Sequence, residues 1–270
     1  MPYCAFFKAR LRGFMLDYAA FPQQRQSLIR QELQEKGRVV CATLAEQLGV
    51  SEHTVRRDLQ ELAREGICKK VYGGAVSVLA SQGDLLARTE KNGAEKARLG
   101  LACSRLVKPQ SVIFIDAGST NLAFARALPP EMALTVVTHS PIIAVELMKL
   151  PRCETIVIGG RLHTATGGSL GITAFSQIRD IRFDQLFLGG CALDSEEGLT
   201  GFDYEDVEFK KALTGRSDEI IVAMTREKIP GVARYTVVAC EALTQLVVEA
   251  DLPADTLAAF REKNIALVHP

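Results

Sequence analysis

The sequence LAEQLGVSEHTVRRDLQEL, from Leu44 to Leu62, carries the clearest structural pattern of the N-terminal part. Apolar residues recur at helical spacing on both sides of Gly49, which breaks the pattern. Ser51, two residues later, can accept a backbone N–H bond and so cap the second of two helices. The stretch therefore predicts two short helices joined by a tight turn. The apolar stripe of the second helix consists of Val55, Leu59 and Leu62.

The flanking segments extend this pattern into a small domain. Residues 23–35 repeat apolar side chains at helical spacing and stop before Gly37. Residues 67–76 read ICKKVYGGAV, which predicts two short extended pieces with a turn at Gly73 and Gly74. Three helices and a wing form a domain that can lay its last helix in DNA, because a helix of about 10–12 Å diameter fits a major groove about 12 Å wide.

The predicted third helix and wing carry side chains suited to DNA. Hydroxyl, imidazole and guanidinium groups at the start of a recognition helix can meet base edges or phosphates, and lysines can anchor the flanking backbone. Two other interpretations remain: a three-helix packing module with a solvated arginine pair, or an adaptor that contacts another protein. The candidate DNA-contacting residues are Ser51, His53, Thr54, Arg56, Arg57, Lys69, Lys70 and Tyr72.

The rest of the chain alternates short apolar runs with amphipathic segments. This alternation predicts an α/β domain built on a largely parallel sheet with helices on both faces. The predicted helical segments are residues 122–128, 142–150 and 206–213. The predicted strands are residues 112–116, 134–138, 155–160, 185–190, 219–225, 245–250 and 265–269.

Small and polar residues gather where these strands end, and ligands of such sheets bind at the carboxyl ends of the strands. The run Gly118, Ser119, Thr120 precedes a predicted helix, whose N-terminal N–H groups can face a phosphate. We expect a phosphate at one end of the site and polyol hydroxyls at the other. The candidate effector-binding residues are Asp116, Gly118, Ser119, Thr120, Thr138, His139, Ser140, Gly159, Gly160, Arg161, Asp194, Glu205 and Lys210.

Each of these candidates also has an ordinary structural interpretation. The pattern D-x-G-S-T is a common turn between a strand and a helix. His139 could be a satisfied loop residue and Arg161 a solvated cation. Glu205 and Lys210 could form an ion pair on the surface of a helix.

The composition excludes several classes of protein. The chain has 270 residues, of which 47% are hydrophobic and 24% charged, and its apolar runs fall far short of the roughly 20 residues that span a bilayer. Its seven cysteines contain no C-x-x-C pair, and its four histidines fit no zinc-ligand spacing. We therefore expect reduced thiols, a cytoplasmic location, no metal, no cofactor and no membrane partner.

Two quoted runs resemble a known family. Residues 25–76, with LAEQLGVSEHTVRRDLQEL followed by the tail GICKKVYGGA (66–75), are similar to the DNA-binding domain of the DeoR family of bacterial transcriptional repressors. The resemblance implies DNA contacts at Ser51, Thr54, Arg56 and Arg57.

From Glu95 to about Pro253, the patterns D-x-G-[ST]-T, T-[NH]-S and G-G-x-[LV] resemble the effector-sensing domain of that family. This domain is similar in fold to ribose-5-phosphate isomerase and binds sugar phosphates. The chain departs from the family pattern at Cys191, where the family has an acid, and at Ala223–Lys228, where a second acid is missing. On these departures, a buried carboxylate for a sugar hydroxyl is expected to be absent.

Together these observations predict four segments: an arm or over-extended start (1–22), a winged helix-turn-helix domain (23–78), a linker (79–94) and an α/β sugar-phosphate sensor (95–270). Residues 1–75 carry 12 Lys and Arg against 8 Asp and Glu, so the basic side chains favour the N-terminal domain. We expect a repressor of a carbohydrate-utilisation operon that binds double-stranded operator DNA as a homodimer or higher homo-oligomer, with a phosphorylated sugar as effector. The alternative is a sugar-phosphate isomerase-like enzyme with Asp194, Glu205 and Lys210 as its acid/base set.

Overall fold

The structure, a computed structural model, describes residues 21–80 and 83–270. The chain divides into two units, Met1–Ser77 and Val78–Pro270. Most of the expected arm over residues 1–22 lies outside the described residues. Among those residues, no helix is long and apolar enough to cross a membrane, and no group of three or more His, Cys, Asp and Glu side chains is placed to hold a metal ion.

The first unit consists of three helices and a small antiparallel sheet, as the sequence predicts. The sheet has the strand order β1-β3-β2. Strand β1 was not predicted, because three residues are too few to show a period. The elements are α1 (Pro22–Lys36), β1 (Arg38–Val40), α2 (Cys41–Leu48), α3 (Glu52–Arg64), β2 (Cys68–Val71) and β3 (Gly74–Ser77).

Helix α3 is fixed in this unit by its apolar face and its cap. Val55, Leu59 and Leu62 are completely buried in the core formed with α1 and α2. The Ser51 hydroxyl accepts the Thr54 N–H at 3.2 Å, which satisfies one of the backbone donors left open at a helix start. The predicted cap and stripe are confirmed, and they leave the opposite face of α3 at the surface.

A buried ion pair holds α1 against α3. The Arg25 guanidinium donates to both carboxylate oxygens of Asp58, with 2.9 Å between Nη2 and Oδ1, and both side chains are almost inaccessible to solvent. The hydrogen bond to Asp58 raises the pKa of Arg25. Because breaking a buried ion pair is costly, the packing of the two helices depends on both residues.

The second unit is built on a seven-stranded sheet with the order β15-β14-β12-β9-β4-β5-β6, in which every neighbouring pair is parallel. Its strands are β4 (Val112–Ile115), β5 (Leu134–Thr138), β6 (Cys153–Val157), β9 (Phe183–Leu188), β12 (Ser217–Ala223), β14 (Gln245–Val247) and β15 (Ala266–Val268). All seven predicted strands are present, and the parallel arrangement is confirmed.

Helices cover both faces of this sheet. Along β4, Phe114 belongs to one apolar core, whereas Ile113 and Ile115 belong to the other, as the alternation of side chains across a strand requires. The helices are α4 (Leu85–Glu90), α5 (Gly93–Ser104), α6 (Ser119–Ala127), α7 (Pro141–Leu147), α8 (Ile172–Ile178), α9 (Tyr204–Thr214) and α10 (Ala254–Glu262), with short 3-10 turns at Arg226–Lys228 and Cys240–Ala242.

Two smaller antiparallel sheets complete the unit. One is the hairpin of β7 (Arg161–His163) and β8 (Gly168–Leu170), and the other joins β10 (Ala192–Asp194), β11 (Gly198–Gly201) and β13 (Tyr235–Val238). These short strands were not predicted. Residues 79–94, expected as a linker, contain the whole of α4 and the start of α5.

Candidate functional site

The first unit presents its candidate DNA-contacting side chains on one exposed surface of α3. Ser51, His53, Arg56 and Arg57 are exposed, and Thr54 is half-buried beside its cap. Glu52 pairs with Arg56 at 2.7 Å, and Glu61 pairs with Arg57 at 3.6 Å. These are exposed pairs, which contribute little to stability and exchange readily for other anions. The arginines are therefore held in place without being buried.

The wing adds further polar groups at the surface. Lys69 and Lys70 are exposed on β2, and the Tyr72 ring is 97% exposed at the tip. The tip turns at Gly73, whose φ of +72° lies in the left-handed region that favours glycine. A nearly fully exposed aromatic ring has no packing role within the unit, so its place at the tip is consistent with contact to another molecule.

The second unit has a cavity of about 80 Å³ at the carboxyl ends of β4 and β9. Gly118, Ser119 and Thr120 line one side, at the N-terminus of α6. Gly118 has φ +155° and ψ +153°, a conformation essentially restricted to glycine. This glycine therefore allows the chain to turn from β4 into α6 with the backbone of the helix start facing the cavity.

A buried carboxylate lies directly behind this loop. Asp116 accepts the Gly189 N–H at 2.7 Å and the Ala117 N–H at 2.9 Å. His139 Nε2 lies 2.9 Å from Asp116 Oδ1, and its Nδ1 lies 3.0 Å from the Ser169 carbonyl. Burial alone would raise the pKa of Asp116, but the Lys210 ammonium and these hydrogen bonds hold it below its ordinary value. The ionised Asp116 carboxylate thus links the ends of β4, β5 and β9.

Lys210 on α9 connects the Asp116 carboxylate to the cavity. Its Nζ lies 2.5 Å from Asp206 Oδ2 and 3.4 Å from Asp116 Oδ2. Desolvation would lower the pKa of Lys210, but the two carboxylates raise it above its ordinary value. Asp206 is buried and lines the cavity, and its Oδ1 has no hydrogen-bond partner among the described residues. That oxygen is almost inaccessible to solvent, so it is a buried acceptor without a partner in the described part of the chain.

Two further cations line the cavity. Arg88 on α4 and Lys228 after β12 are half-buried, and neither forms an ion pair with a carboxylate in the described part of the chain. Burial lowers the pKa of Lys228, whose Nζ donates to the Gly190 carbonyl at 3.3 Å. Lys210, Arg88 and Lys228 carry three positive charges, and Asp116 and Asp206 carry two negative ones, so these five groups have one net positive charge.

The structure brings only part of the predicted effector set to the cavity. Gly118, Ser119, Thr120 and Lys210 line it. The other candidates do not: Asp116, Thr138, His139 and Ser140 are buried behind it, Gly159, Gly160, Arg161 and Glu205 lie elsewhere on the unit, and Asp194 is buried in β10, where it accepts the Glu196 and Glu197 N–H groups.

Two expectations about single residues need correction. Glu205 and Lys210 do not pair: Arg161 lies 2.6 Å from Glu205, whereas Lys210 is buried against Asp206 and Asp116. A buried carboxylate at the cavity is not absent, because Asp206 supplies one although Cys191 replaces the acid of the family pattern. Both corrections have one cause: the phase of α9 turns residues 206 and 210, four apart, to the same side.

Four further residues line the cavity and were not predicted as site residues: Arg88, Lys228, Asp206 and Asn121. Asn121 donates to the Asp116 and Phe187 carbonyls and so joins α6 to β4 and β9. A signal existed for Asp206, whose spacing to Lys210 is that of a helical ion pair. Arg88 stood in an expected linker, and Lys228 was singled out only as part of a departure from the family pattern.

A winged helix-turn-helix domain followed by an α/β domain with a polar, positively charged cavity defines a class of protein: the ligand-responsive regulators of transcription. The chain belongs to the DeoR family of this class. Residues 25–80 match the DeoR-like helix-turn-helix domain, and residues 91–250 match the DeoR C terminal sensor domain. The predicted family is thereby confirmed.

The relatives of the chain are regulators of transcription. It is 30% identical to the HTH-type transcriptional regulator GolR of Listeria innocua, over 85% of this chain and 91% of the relative. It is 29% identical to the glycerol-3-phosphate regulon repressor of Escherichia coli, over 90% of this chain and 97% of the relative. Among solved structures, ribose 5-phosphate isomerase A of Methanocaldococcus jannaschii is 17% identical, with a TM-score of 0.38, over 51% of this chain and 55% of that one.

Proposed function

We propose that this protein represses a carbohydrate-utilisation operon by binding operator DNA through α3 and the β2–β3 wing. The observation that carries the proposal is the division of α3 into two faces. Val55, Leu59 and Leu62 are fully buried, whereas Arg57 on the other face has a side chain that is 77% exposed. A helix anchored in this way can enter the major groove without unfolding its own domain. Because it must reach the chromosome, we expect the protein in the cytoplasm.

We further propose that a phosphorylated sugar or polyol in the cavity changes the affinity for DNA. The net positive charge of the cavity and the N-terminus of α6 favour a phosphate group. Asp206 lines the same cavity, and a carboxylate there favours a hydroxyl on the same ligand. The name of one relative, the glycerol-3-phosphate regulon repressor, is consistent with a phosphorylated effector for this chain as well.

The cavity supports a sensor more than an isomerase. Of the acid/base set that the enzyme alternative needs, Asp194 and Glu205 do not line the cavity. Lys210 does, but its two carboxylate partners raise its pKa, so it would be a poor base near neutral pH. Incubation of the purified protein with pentose and hexose phosphates should therefore show binding and no turnover. Turnover that depends on Lys210 would favour the enzyme.

We propose that the protein acts as a homodimer or a higher homo-oligomer, because operators read by winged helix-turn-helix domains are usually symmetric. Sedimentation of the full chain should give at least twice the 29.4 kDa of one copy. A monomer that binds DNA with full affinity would contradict this assignment.

Binding to the DNA upstream of the gene for this chain tests the central proposal. The double variant Arg56→Ala/Arg57→Ala should weaken retardation of that fragment by about 100-fold or more, since each lost contact to a base or phosphate costs roughly 1–3 kcal/mol. Arg179→Ala is the matched control, because Arg179 is an exposed arginine in the second unit with a side chain 72% accessible. Full binding by the double variant would overturn the proposal.

The effector proposal has its own test. Titration of the full chain with glycerol 3-phosphate, ribose 5-phosphate and fructose 6-phosphate should show binding of at least one of them, and the unphosphorylated sugars should not bind. Lys228→Gln should weaken that binding about tenfold or more, because it removes a charged donor to a phosphate. Equal binding of phosphorylated and unphosphorylated compounds would contradict a phosphate site.

A further inference from the structure

Arg88 occupies an unusual place in the second unit. It lies on α4, the first helix of the unit, and it is the residue of that helix that lines the cavity. Its Nη1 donates to the Gly83 and Ala165 carbonyls, each at 2.9 Å, and its Nη2 lies 3.4 Å from the Thr166 carbonyl. The same guanidinium therefore contacts the cavity, the β7–β8 turn and the segment through which the chain enters the unit.

Two other contacts hold helix α4 against the rest of the second unit. Leu85 packs on the β7–β8 turn so closely that a Cβ at Gly167 would lie 2.1 Å from its side chain. The Lys96 ammonium donates to the Arg88 and Lys91 carbonyls at the end of α4. Burial lowers the pKa of Lys96 to about 8, with the Lys228 and Arg88 charges acting in the same direction. A change in the position of Arg88 would therefore change the position of the whole of α4.

We propose that Arg88 couples occupancy of the cavity to the entry segment of the second unit, residues 83–91. This rests on the proposed function, since it assigns the residue through which an anionic effector acts. Nη1 donates to the Gly83 and Ala165 carbonyls and Nη2 uses one N–H on the Thr166 carbonyl, which leaves the Nε N–H and the second Nη2 N–H for an anion. One rigid guanidinium then joins the anion to the Gly83 carbonyl and orders α4.

The other two cations of the cavity, Lys228 and Lys210, have different hydrogen-bond partners from Arg88. Lys228 donates to the Gly190 carbonyl after β9, and within the described residues it forms no hydrogen bond to residues 83–91. Lys210 is held by Asp116 and Asp206. Both can attract an anion, but of the three cavity cations Arg88 alone, among the described residues, donates to a carbonyl of residues 83–91, that of Gly83. A ligand changes a conformational equilibrium only through differential contacts, and the shared guanidinium supplies such a contact.

Hydrogen exchange of the full chain with and without saturating inorganic phosphate tests the coupling. Peptides covering residues 117–122 report whether phosphate binds at the start of α6, and peptides covering residues 83–91 report the response of α4. In the unsubstituted protein, both regions should exchange more slowly with phosphate, the second by about tenfold, as expected for one added charged hydrogen-bond network.

Two arginine-to-lysine substitutions make the test specific to Arg88. Arg88→Lys keeps the charge and should still give protection at residues 117–122. An ammonium lacks the planar fork that points to the Gly83 and Ala165 carbonyls and to an anion at once, so protection at residues 83–91 should be lost. Arg98→Lys is the control, because Arg98 is an exposed arginine on the neighbouring α5 that pairs with Glu95. It should behave like the unsubstituted protein.

The outcomes separate this inference from the proposed function. If phosphate protects neither region of the unsubstituted protein, the anion site and the coupling both fail. If it protects residues 117–122 but leaves residues 83–91 unchanged or exchanging faster, the coupling alone is wrong. Protection of residues 83–91 that persists in Arg88→Lys would also overturn it, because the response would then not pass through the guanidinium.

Discussion

The two units present their candidate functional residues in opposite ways. In the first unit, the arginines of α3 stand on the surface, opposite an apolar face that is fully buried. In the second unit, Asp116 and His139 are completely buried, and the cavity is lined by cations from helix α4 and a 3-10 turn that are distant in sequence. A surface site is thus encoded in the period of one helix, whereas a cavity site depends on how several elements assemble.

The largest expected effect is on the buried charges of the second unit. Lys210→Met leaves Asp116 and Asp206 without their shared cation, and uncompensated buried charge costs about 3–5 kcal/mol of the free energy of unfolding. Lys211→Met changes the next residue, whose side chain is 47% exposed, and should cost little. Chemical denaturation followed by circular dichroism measures both. Equal stabilities would mean that Lys210 does not neutralise the two carboxylates.

The first unit has one comparable buried pair, which lies away from its functional surface. Asp58→Ala removes the buried carboxylate that accepts two hydrogen bonds from Arg25, and we expect the free energy of unfolding of that unit to fall by about 3 kcal/mol. DNA retardation should weaken in parallel with the folded fraction. Glu46→Ala, at an exposed position on α2, is the control. If the Asp58→Ala variant is as stable as the unsubstituted protein, apolar contacts alone hold α3 in the unit.

Much of the fold was predictable because its elements have clear periods. The stripe on α3, the Ser51 cap and the seven strands each follow from spacing within one element. Strand β1 and the strands of the small sheets, three or four residues long, carry no readable period. Helix α4 was missed because its six residues show no complete apolar stripe, so the segment was interpreted as a linker.

The site was less predictable, for a different physical reason. Gly118, Ser119 and Thr120 could be found because the end of a strand and the start of a helix fix their backbone. Arg88 could not, since its place in the cavity depends on packing between α4 and the β7–β8 turn. Asp206 was one residue away from the predicted Glu205, and only the rotation of α9 decides which carboxylate faces Lys210.

Acid pH should affect the second unit through Asp116. Its folded pKa lies below its ordinary value near 3.9, so its ionised form stabilises the fold fully above that ordinary value. This contribution is lost as the pH falls through the folded pKa. The gap in the free energy of unfolding between the unsubstituted protein and Asp116→Asn should therefore be largest near pH 7 and narrow below about pH 4.

A matched exposed carboxylate shows whether this pH dependence of stability comes from the buried Asp116 side chain. Asp180→Asn changes a carboxylate with a side chain 79% exposed, and the gap from the unsubstituted protein should be small at every pH. If the Asp116→Asn gap stays constant down to pH 3, Asp116 is not ionised by Lys210 and His139 in the way that its contacts indicate.

The smallest expected effect returns to the wing of the first unit. Lys70 is exposed on β2, where a cation can contact a phosphate without reading sequence. Lys70→Ala should lower DNA affinity about threefold to tenfold on specific and unrelated fragments alike, and reduce the slope of log affinity against log salt by about 1. Arg57→Ala should lower specific affinity more than non-specific affinity, because α3 is placed to read bases. If the two variants changed both affinities equally, α3 and the wing would have the same role, and the division of the surface into reading and anchoring parts would be wrong.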